Sequence, residues 1–258
     1  MRKLVFLFVL IFLFGCVSIQ YLDKKYDYNF FLVGKKINLI QGIELATYII
    51  EVEGNLSVGS EVIKHAHKAI AFSLDRKHLI VLNHVLQLPK EMLFPPFPFP
   101  LPVEQVGEKK IYLDGKELKV LSNDSDIAIV YNEEQEYKVL PIGIGNSEEL
   151  ELGLALVLTR CPAVLGFGIS CGIVSNPSGF GILKEDEDGE DPNRVFMIAA
   201  PINRGDSGCP VFALRDGIPE LVGITQGKIG GLEGVGWALK VNYVMEQVRE
   251  LLKMKESG

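Results

Sequence analysis

Short runs of β-branched and other apolar residues follow one another along most of this 258-residue chain, and they constrain its fold more than any other feature. Such runs favour extended strands, and helical periodicity is nearly absent between them. Two Asp-Gly pairs, Asp114-Gly115 and Asp216-Gly217, each separate two such runs, which is a strong signal of a β-hairpin. The runs are Ala46–Val52, Ala69–Ser73, Leu79–Leu82, Ile111–Val120, Ile127–Val130, Leu154–Leu158, Gly172–Ser175, Val211–Leu214 and Glu220–Thr225. The sequence therefore predicts an all-β barrel or sandwich protein.

One helix is predicted, at the C-terminal end. Val244, Val248, Leu251 and Leu252 recur at helical spacing and form a single apolar stripe. Asn242 precedes the stripe and is predicted to be the N-cap. We expect the stripe to dock on the β-structure rather than on a membrane or a partner helix.

The composition is that of an ordinary globular protein, with 48% hydrophobic and 23% charged residues. The net charge is −7, the isoelectric point is near 5.3, and no block of basic residues occurs. These properties exclude a nucleic-acid-binding protein. No cofactor is predicted.

The N-terminal residues have the composition of an export signal. Arg2 and Lys3 precede an apolar run, 4–14, that is too short to span a bilayer comfortably. The run ends at Gly15-Cys16, which resembles a bacterial lipoprotein box with Cys16 as the lipidated residue; a plain signal peptide or an uncleaved anchor is the alternative. We therefore expect a signal peptide over 1–16, a tether over 17–42, and a protein that is lipid-anchored to a membrane of the bacterial cell envelope.

Three cysteines remain after the leader: Cys161, Cys171 and Cys209. An exported protein meets an oxidising compartment, so one disulfide and one thiol are expected. Cys161 and Cys171 could face each other across a hairpin, although sequence alone does not fix the pairing.

Two clusters in the sequence contain metal-binding residue types, but no metal site is predicted. His65 and His67 lie two residues apart, but no further Cys or His ligand is near them in the sequence. The acidic run 185–191 offers oxygen ligands, yet its spacing differs from that of an EF-hand. Solvated histidines and a solvated acidic loop are the expected structures.

The stretch Pro201–Pro210, PINRGDSGCP, raises the question of whether Ser207 is a nucleophile or a turn residue. A serine hydroxyl becomes a useful nucleophile when a base takes its proton and a third group holds that base. His84 directly follows the apolar run Leu79–Leu82, which would hold it firmly at the edge of a cleft. It is therefore the candidate base.

The candidate acid is Asp126, because it directly precedes the apolar run Ile127–Val130, which would fix its position. Asp124 is a competitor, but it lies farther from that run, within residues of turn composition. A capping or turn role is the alternative for both.

These segments resemble the catalytic blocks of the trypsin-like serine proteases, most closely those of the HtrA/Deg envelope proteases. The three blocks are Leu79–Val85, Asp126–Ala128 and Ala200–Pro210, and Ile111–Val120, Cys171–Ser175 and Val235–Leu239 resemble the segments between and after them. The order His, Asp, Ser is that of the chymotrypsin fold. Over residues 45–255 the resemblance implies two six-stranded antiparallel β-barrels, over 43–135 and 136–258, with a helix at the end of the second. We expect no PDZ domain.

The resemblance also implies the roles of individual residues in a serine endopeptidase acting on proteins or peptides. Ser207 would be the nucleophile, His84 the general base and then acid, and Asp126 the group that orients His84. The backbone N–H groups of Gly205 and Ser207 would form the oxyanion hole. The alternative is a catalytically inactive, peptide-binding lipoprotein with the same fold.

Three further residues bear on the predicted activation, packing and substrate specificity. Asp206 stands where the HtrA/Deg group usually has Asn, and we predict that it finds an internal donor, so that no activating cut is needed. Cys209 replaces a usual Gly, and its small thiol is expected to pack in apolar space. Pro201, six residues before Ser207, is predicted to floor the substrate pocket, which would then favour small or medium apolar side chains over Lys or Arg.

Overall fold

The computed structural model describes residues 37–96, 98–123, 125–160, 166–179, 192–229 and 232–257. The predicted signal peptide with Cys16, Asp124, Cys161 and the acidic run 185–191 lie outside the described residues, so the predictions made for them stay predictions.

Fifteen strands and two α-helices make up the described part of the chain. The strands are β1 Thr47–Val58, β2 Glu61–Ser73, β3 Leu79–Leu82, β4 Glu91–Met92, β5 Leu101–Pro102, β6 Glu104–Leu113, β7 Lys116–Ser122, β8 Ile127–Tyr131, β9 Gly143–Ile144, β10 Ala155–Arg160, β11 Gly168–Asn176, β12 Val195–Ala199, β13 Pro210–Arg215, β14 Ile218–Lys228 and β15 Val235–Lys240; the helices are α1 Ile37–Leu45 and α2 Val241–Ser257. Short 3-10 turns occupy Asn83–Leu86, Ser147–Glu149 and Pro192–Arg194.

The strands form two closed antiparallel barrels, as predicted. The first has the order β1-β2-β3-β8-β7-β6, and β6 pairs with β1 to close it. The second follows β13-β10-β11-β12-β15-β14 and closes through pairing of β13 with β14; the short β9 adds to β14 in parallel. The predicted fold of two six-stranded antiparallel barrels with a C-terminal helix is confirmed.

Both predicted Asp-Gly hairpins are present. Asp114 and Gly115 have φ of 50° and 76° between β6 and β7, and Asp216 and Gly217 have the same values between β13 and β14. Positive φ at both central residues is what a two-residue hairpin turn with the twist of its strands requires. The local sequence thus sets the register of these two hairpins.

Three clusters of buried side chains hold the molecule together. One fills the first barrel and one fills the second. The third, which we name the central cluster, lies between the barrels and includes Ile43, Phe72, Ile80, Ile127, Phe212, Leu239, Val244 and Leu251. Because its members come from both barrels and from both helices, the central cluster fixes the position of one barrel against the other.

The structure has one helix, α1, that the sequence analysis did not predict, and the predicted C-terminal helix, α2, begins at a different residue from the one expected. Residues 37–42, assigned to a tether, form most of α1, and this helix contributes the buried Ile43 to the central cluster. Helix α2 begins at Val241, so Asn242 lies inside the first turn and is not the N-cap. The apolar stripe of α2 docks on the barrels as expected, with Val244, Val248 and Leu251 buried. Neither described helix combines the length and apolarity needed to cross a bilayer.

Candidate active site

His84 is positioned by the end of a fully buried strand. It is the second residue of the 3-10 turn that follows β3, and Leu86, at the end of the same turn, is buried in the first barrel. His84 is exposed to solvent, yet desolvation by the protein atoms around its imidazole lowers its pKa below the ordinary 6.5; the negative charge of Asp126 acts in the opposite direction without cancelling this effect. A neutral imidazole at neutral pH is the form that can accept a proton.

Asp126 lies beside His84 because β3 and β8 are neighbours. Leu82 at the end of β3 pairs with Ile127 at the start of β8. The Asn83 N–H donates to the Asp126 carbonyl oxygen at 2.7 Å, and the Asn83 side chain donates to the carbonyls of Asn123 and Ser125, both at 3.1 Å. The turn carrying His84 is therefore bound directly to the turn carrying Asp126.

Ser207 lies on the loop before β13, and this loop rests on both barrels. Gly208 has a φ of 93°, and its N–H donates to the Thr225 carbonyl of β14 at 2.8 Å. A Cβ on Gly208 would stand 2.6 Å from the Ile70 carbonyl oxygen of β2 in the first barrel. Glycine is thus required here both for its backbone conformation and for the close approach of the two barrels.

The serine and aspartate side chains are bonded to groups other than His84 in this structure. The Ser207 hydroxyl donates to the Gln226 carbonyl at 2.9 Å, and Asp126 Oδ2 accepts from the Tyr243 hydroxyl at 2.9 Å. Within the described ranges, no hydrogen bond joins the His84 imidazole to either Ser207 or Asp126. The structure brings His84 and Asp126 to adjacent strand ends and places Ser207 where the barrels meet.

The two N–H groups predicted for the oxyanion hole are free of backbone partners in the described part of the chain. Gly205 is exposed, with a φ of 94°. The adjacent Asp206 and Gly208 donate their own N–H groups to the carbonyls of Asn203 and Thr225, which fixes the loop on both sides of Ser207. The roles predicted for Gly205 and Ser207 remain predictions.

Asp206 has the internal donor that the sequence analysis predicted. Its carboxylate is 2% exposed, and Oδ2 accepts from Arg160 Nε at 3.0 Å and from the Asn203 N–H at 2.8 Å. With the Asn203 amide turned to satisfy both of its ends, Asn203 Oδ1 also accepts from Arg160 Nη2 at 2.6 Å. Arg160, the last residue of β10, therefore ties two residues of the serine loop to the second barrel.

Cys209 and Pro201 lie on either side of Ser207 in the chain. Cys209 is completely buried and packs against Ile70, as expected for a small thiol in apolar space. Pro201 is exposed, whereas the next residue, Ile202, is buried and lies against Gly236 of β15. The pocket role of Pro201 stays a prediction.

The other residues considered in the sequence analysis are Cys171, His65 and His67. Cys171 is exposed on β11, opposite Val157, and its predicted pairing with Cys161 stays a prediction. His67 Nε2 lies 2.8 Å from the Val85 carbonyl, and its ring is 5.6 Å from that of His65. No group of three or more His, Cys, Asp or Glu residues is arranged to hold a metal ion among the residues described.

Sequence analysis missed three residues of the site: Arg160, Tyr243 and Gln226. A basic residue at the end of a buried strand was a signal for Arg160. Tyr243 carried no signal, because a tyrosine in a helix is usually a packing residue. Gln226 contributes only its backbone carbonyl. Because every residue has one, the sequence carried no signal for Gln226 either.

Two relatives that are named as HtrA-like serine proteases support the resemblance by sequence. The chain is 31% identical over 138 residues to a protein named serine protease HtrA-like from Staphylococcus haemolyticus; the match covers 51% of this chain and 21% of the relative. A protein of the same name from Staphylococcus aureus is 32% identical over 141 residues, which is 52% of this chain and 18% of the relative. The match therefore spans about a fifth of the length of these relatives. No family model matches the chain.

Solved structures support the fold. The HtrA-type protease AlgW, determined with a decapeptide, superposes with a TM-score of 0.60 at 17% identity, over 84% of this chain and 67% of that one. A variant of AlgW with a decapeptide gives a TM-score of 0.62 at 16% identity, over 84% of this chain and 66% of that one. The predicted resemblance to HtrA-type proteases is confirmed, and the chain has a serine protease fold.

Proposed function

We propose that the chain is a serine endopeptidase that hydrolyses peptide bonds through Ser207, His84 and Asp126. The observation that carries the proposal is the direct hydrogen bond between the turn of His84 and the turn of Asp126. The serine loop contacts the first barrel where Gly208 lies against the Ile70 carbonyl, which supports a site at the junction of the two barrels. The relatives named serine protease point to the same chemistry.

In the proposed reaction His84 removes the Ser207 hydroxyl proton while the oxygen bonds to the substrate carbonyl carbon. The electron pair of the carbonyl moves onto its oxygen, which the N–H groups of Gly205 and Ser207 stabilise. Collapse of this intermediate breaks the C–N bond, and His84 gives its proton to the departing amine. Water then hydrolyses the acyl-enzyme by the same steps. To begin, the Ser207 hydroxyl must leave the Gln226 carbonyl and turn to His84.

The substrates proposed are proteins or peptides with small or medium apolar side chains before the cleaved bond. The exposed Pro201 and the buried Ile202 bring no carboxylate that could select Lys or Arg. The two structural neighbours were determined with a decapeptide, which is consistent with peptide substrates. We further propose that Cys16 anchors the enzyme to a membrane of the cell envelope; Cys16→Ala should abolish incorporation of labelled palmitate in cells.

A fluorophosphonate probe tests the reaction, since it labels only an activated serine. We expect the full chain to be labelled and Ser207→Ala to give no label. His84→Ala should reduce labelling strongly, whereas Ser57→Ala, which changes a serine on β1 of the first barrel, is the matched control and should label like the wild type. A folded wild-type protein that never labels would instead indicate a peptide-binding protein with a protease fold.

A further inference from the structure

Helix α2 brings a tyrosine hydroxyl to the carboxylate of the proposed triad. Tyr243, in the first turn of α2, donates its hydroxyl to Asp126 Oδ2 at 2.9 Å. Within the described ranges, no other donor is bonded to this carboxylate. Oδ1 is therefore the oxygen left to face an imidazole.

The tyrosine ring is itself held from several sides. The Arg194 guanidinium lies over the ring, 5.0 Å from Cζ to the ring centroid, and comes from the 3-10 turn before β12. The ring also packs against the central cluster, and the start of α2 is fixed by a hydrogen bond from the Asn242 N–H to the Ser147 hydroxyl at 3.1 Å. A hydroxyl on so constrained a ring can fix the rotamer of the group that it binds.

The hydroxyl stays a donor over the whole working range of pH. Burial, and then the hydrogen bond to Asp126, raise the pKa of Tyr243 to about 12, while Arg194 acts in the opposite direction. Asp126 and Arg194 are the charged groups that face Tyr243, and Asp126 is the one that faces His84. The contact therefore does not switch near neutral pH.

We propose that Tyr243 is a positioning residue of the active site, which holds Asp126 by Oδ2 so that Oδ1 stays directed to His84. The inference rests on the proposed function. Tyr243 does not touch the reacting atoms and acts through Asp126 on the orientation and charge of the imidazole. It also makes helix α2 a part of the catalytic arrangement, in addition to its packing role.

The variant that tests this is Tyr243→Phe, which removes the hydroxyl and keeps the ring. We expect kcat on a peptide substrate to fall about tenfold, because the carboxylate loses its fixed rotamer, while KM stays unchanged. The acid limb of the kcat/KM profile should move to lower pH. A carboxylate that is no longer held toward His84 stabilises protonated His84 less, so the pKa of His84 falls.

Two further variants separate a positioning role from a structural one. Tyr137→Phe is the matched control, since this buried hydroxyl accepts from the Asn132 N–H in the first barrel, away from the site; its kcat and acid limb should match the wild type. In an Asp126→Asn background, Tyr243→Phe should cause no further loss of kcat. An unchanged kcat in Tyr243→Phe, or a loss without movement of the acid limb, would overturn the proposal.

A measurement without substrate distinguishes this inference from the proposed function. An NMR titration of the His84 imidazole in the wild type and in Tyr243→Phe should show a lower pKa in the variant, whether or not the protein cleaves peptides. Equal titration curves reject the role of Tyr243 even if the wild type labels with fluorophosphonate. A shifted titration curve in a protein that fluorophosphonate never labels would support the role of the Tyr243–Asp126 contact and would reject the proposed protease activity.

Discussion

Asp206 and Arg160 form an ion pair whose partners are unequally buried. The Asp206 side chain is 3% exposed and that of Arg160 is 19% exposed, and Asp206 Oδ1 has no hydrogen-bond partner among the described residues. Such a carboxylate depends on its cation, because removing one partner of a buried pair leaves an uncompensated charge. The pair also fixes the loop that presents Gly205 and Ser207, so it links stability to the proposed oxyanion hole.

Arg160→Met should therefore destabilise the fold by about 3 kcal/mol and lower kcat by about a hundredfold. Urea unfolding and peptide hydrolysis would measure the two effects. The control is the double variant Arg160→Met with Asp206→Asn, in which the uncompensated charge is gone. It should recover much of the lost stability; equal stability of the single and double variants would contradict the ion-pair account.

Gly208 has both a left-handed backbone and no space for a side chain. Gly208→Ala should cost about 2 kcal/mol more than Gly153→Ala, because an added Cβ at 208 overlaps the Ile70 carbonyl whereas 153 opens to solvent. Gly153 has a φ of 83°, so it controls for the backbone term. Thermal or urea unfolding of both variants gives the difference, and similar losses would show that the inter-barrel contact is loose.

At the scale of elements, the start of α2 is capped by a residue far away in sequence. Ser147, 1% exposed, accepts from the Asn242 N–H through its hydroxyl at 3.1 Å, and the Ser147 N–H donates to Asn242 Oδ1 at 3.2 Å. The exchange satisfies one of the N–H groups that a helix start leaves without an internal partner. It explains why Asn242 is not a conventional N-cap: its side chain is bonded outside its own helix.

Ser147→Ala should lower the free energy of unfolding by about 1 kcal/mol, the usual value of a capping hydroxyl. Ser57→Ala is a suitable control, because that hydroxyl makes only a long, 3.5 Å contact with the Glu104 carbonyl. Its stability should stay within roughly half a kcal/mol of the wild type. If chemical unfolding shows equal effects for both variants, the cap does not stabilise α2.

At the scale of the whole molecule, the central cluster makes one folding unit of two barrels. Leu251→Ala should cost about 2–4 kcal/mol, because its side chain is 1% exposed within that cluster. Met254→Ala on the same helix is the control: that residue is 57% exposed and should have little effect. Fluorescence of Trp237 in β15 and amide exchange in β1 should report a single common transition; separate transitions would show that the barrels fold independently.

Much of this structure follows from local sequence. Runs of β-branched and other apolar residues predicted most of the strands, and Asp114-Gly115 and Asp216-Gly217 predicted two hairpins, because a turn with positive φ depends on neighbouring residues only. His84 and Asp126 could be chosen for the same reason: each directly adjoins a buried strand, and β3 and β8 carry them to the same place.

Tertiary structure alone decided the remaining partners. Arg160 lies 46 residues from Asp206, Tyr243 lies 117 residues from Asp126, and Ser147 lies 95 residues from Asn242. Residues 37–42 are helical because α1 ends on the central cluster, a surface that exists only after both barrels have formed. Sequence patterns report what neighbours along the chain prefer, whereas these contacts depend on where closed barrels bring distant side chains together, and only the folded molecule determines that.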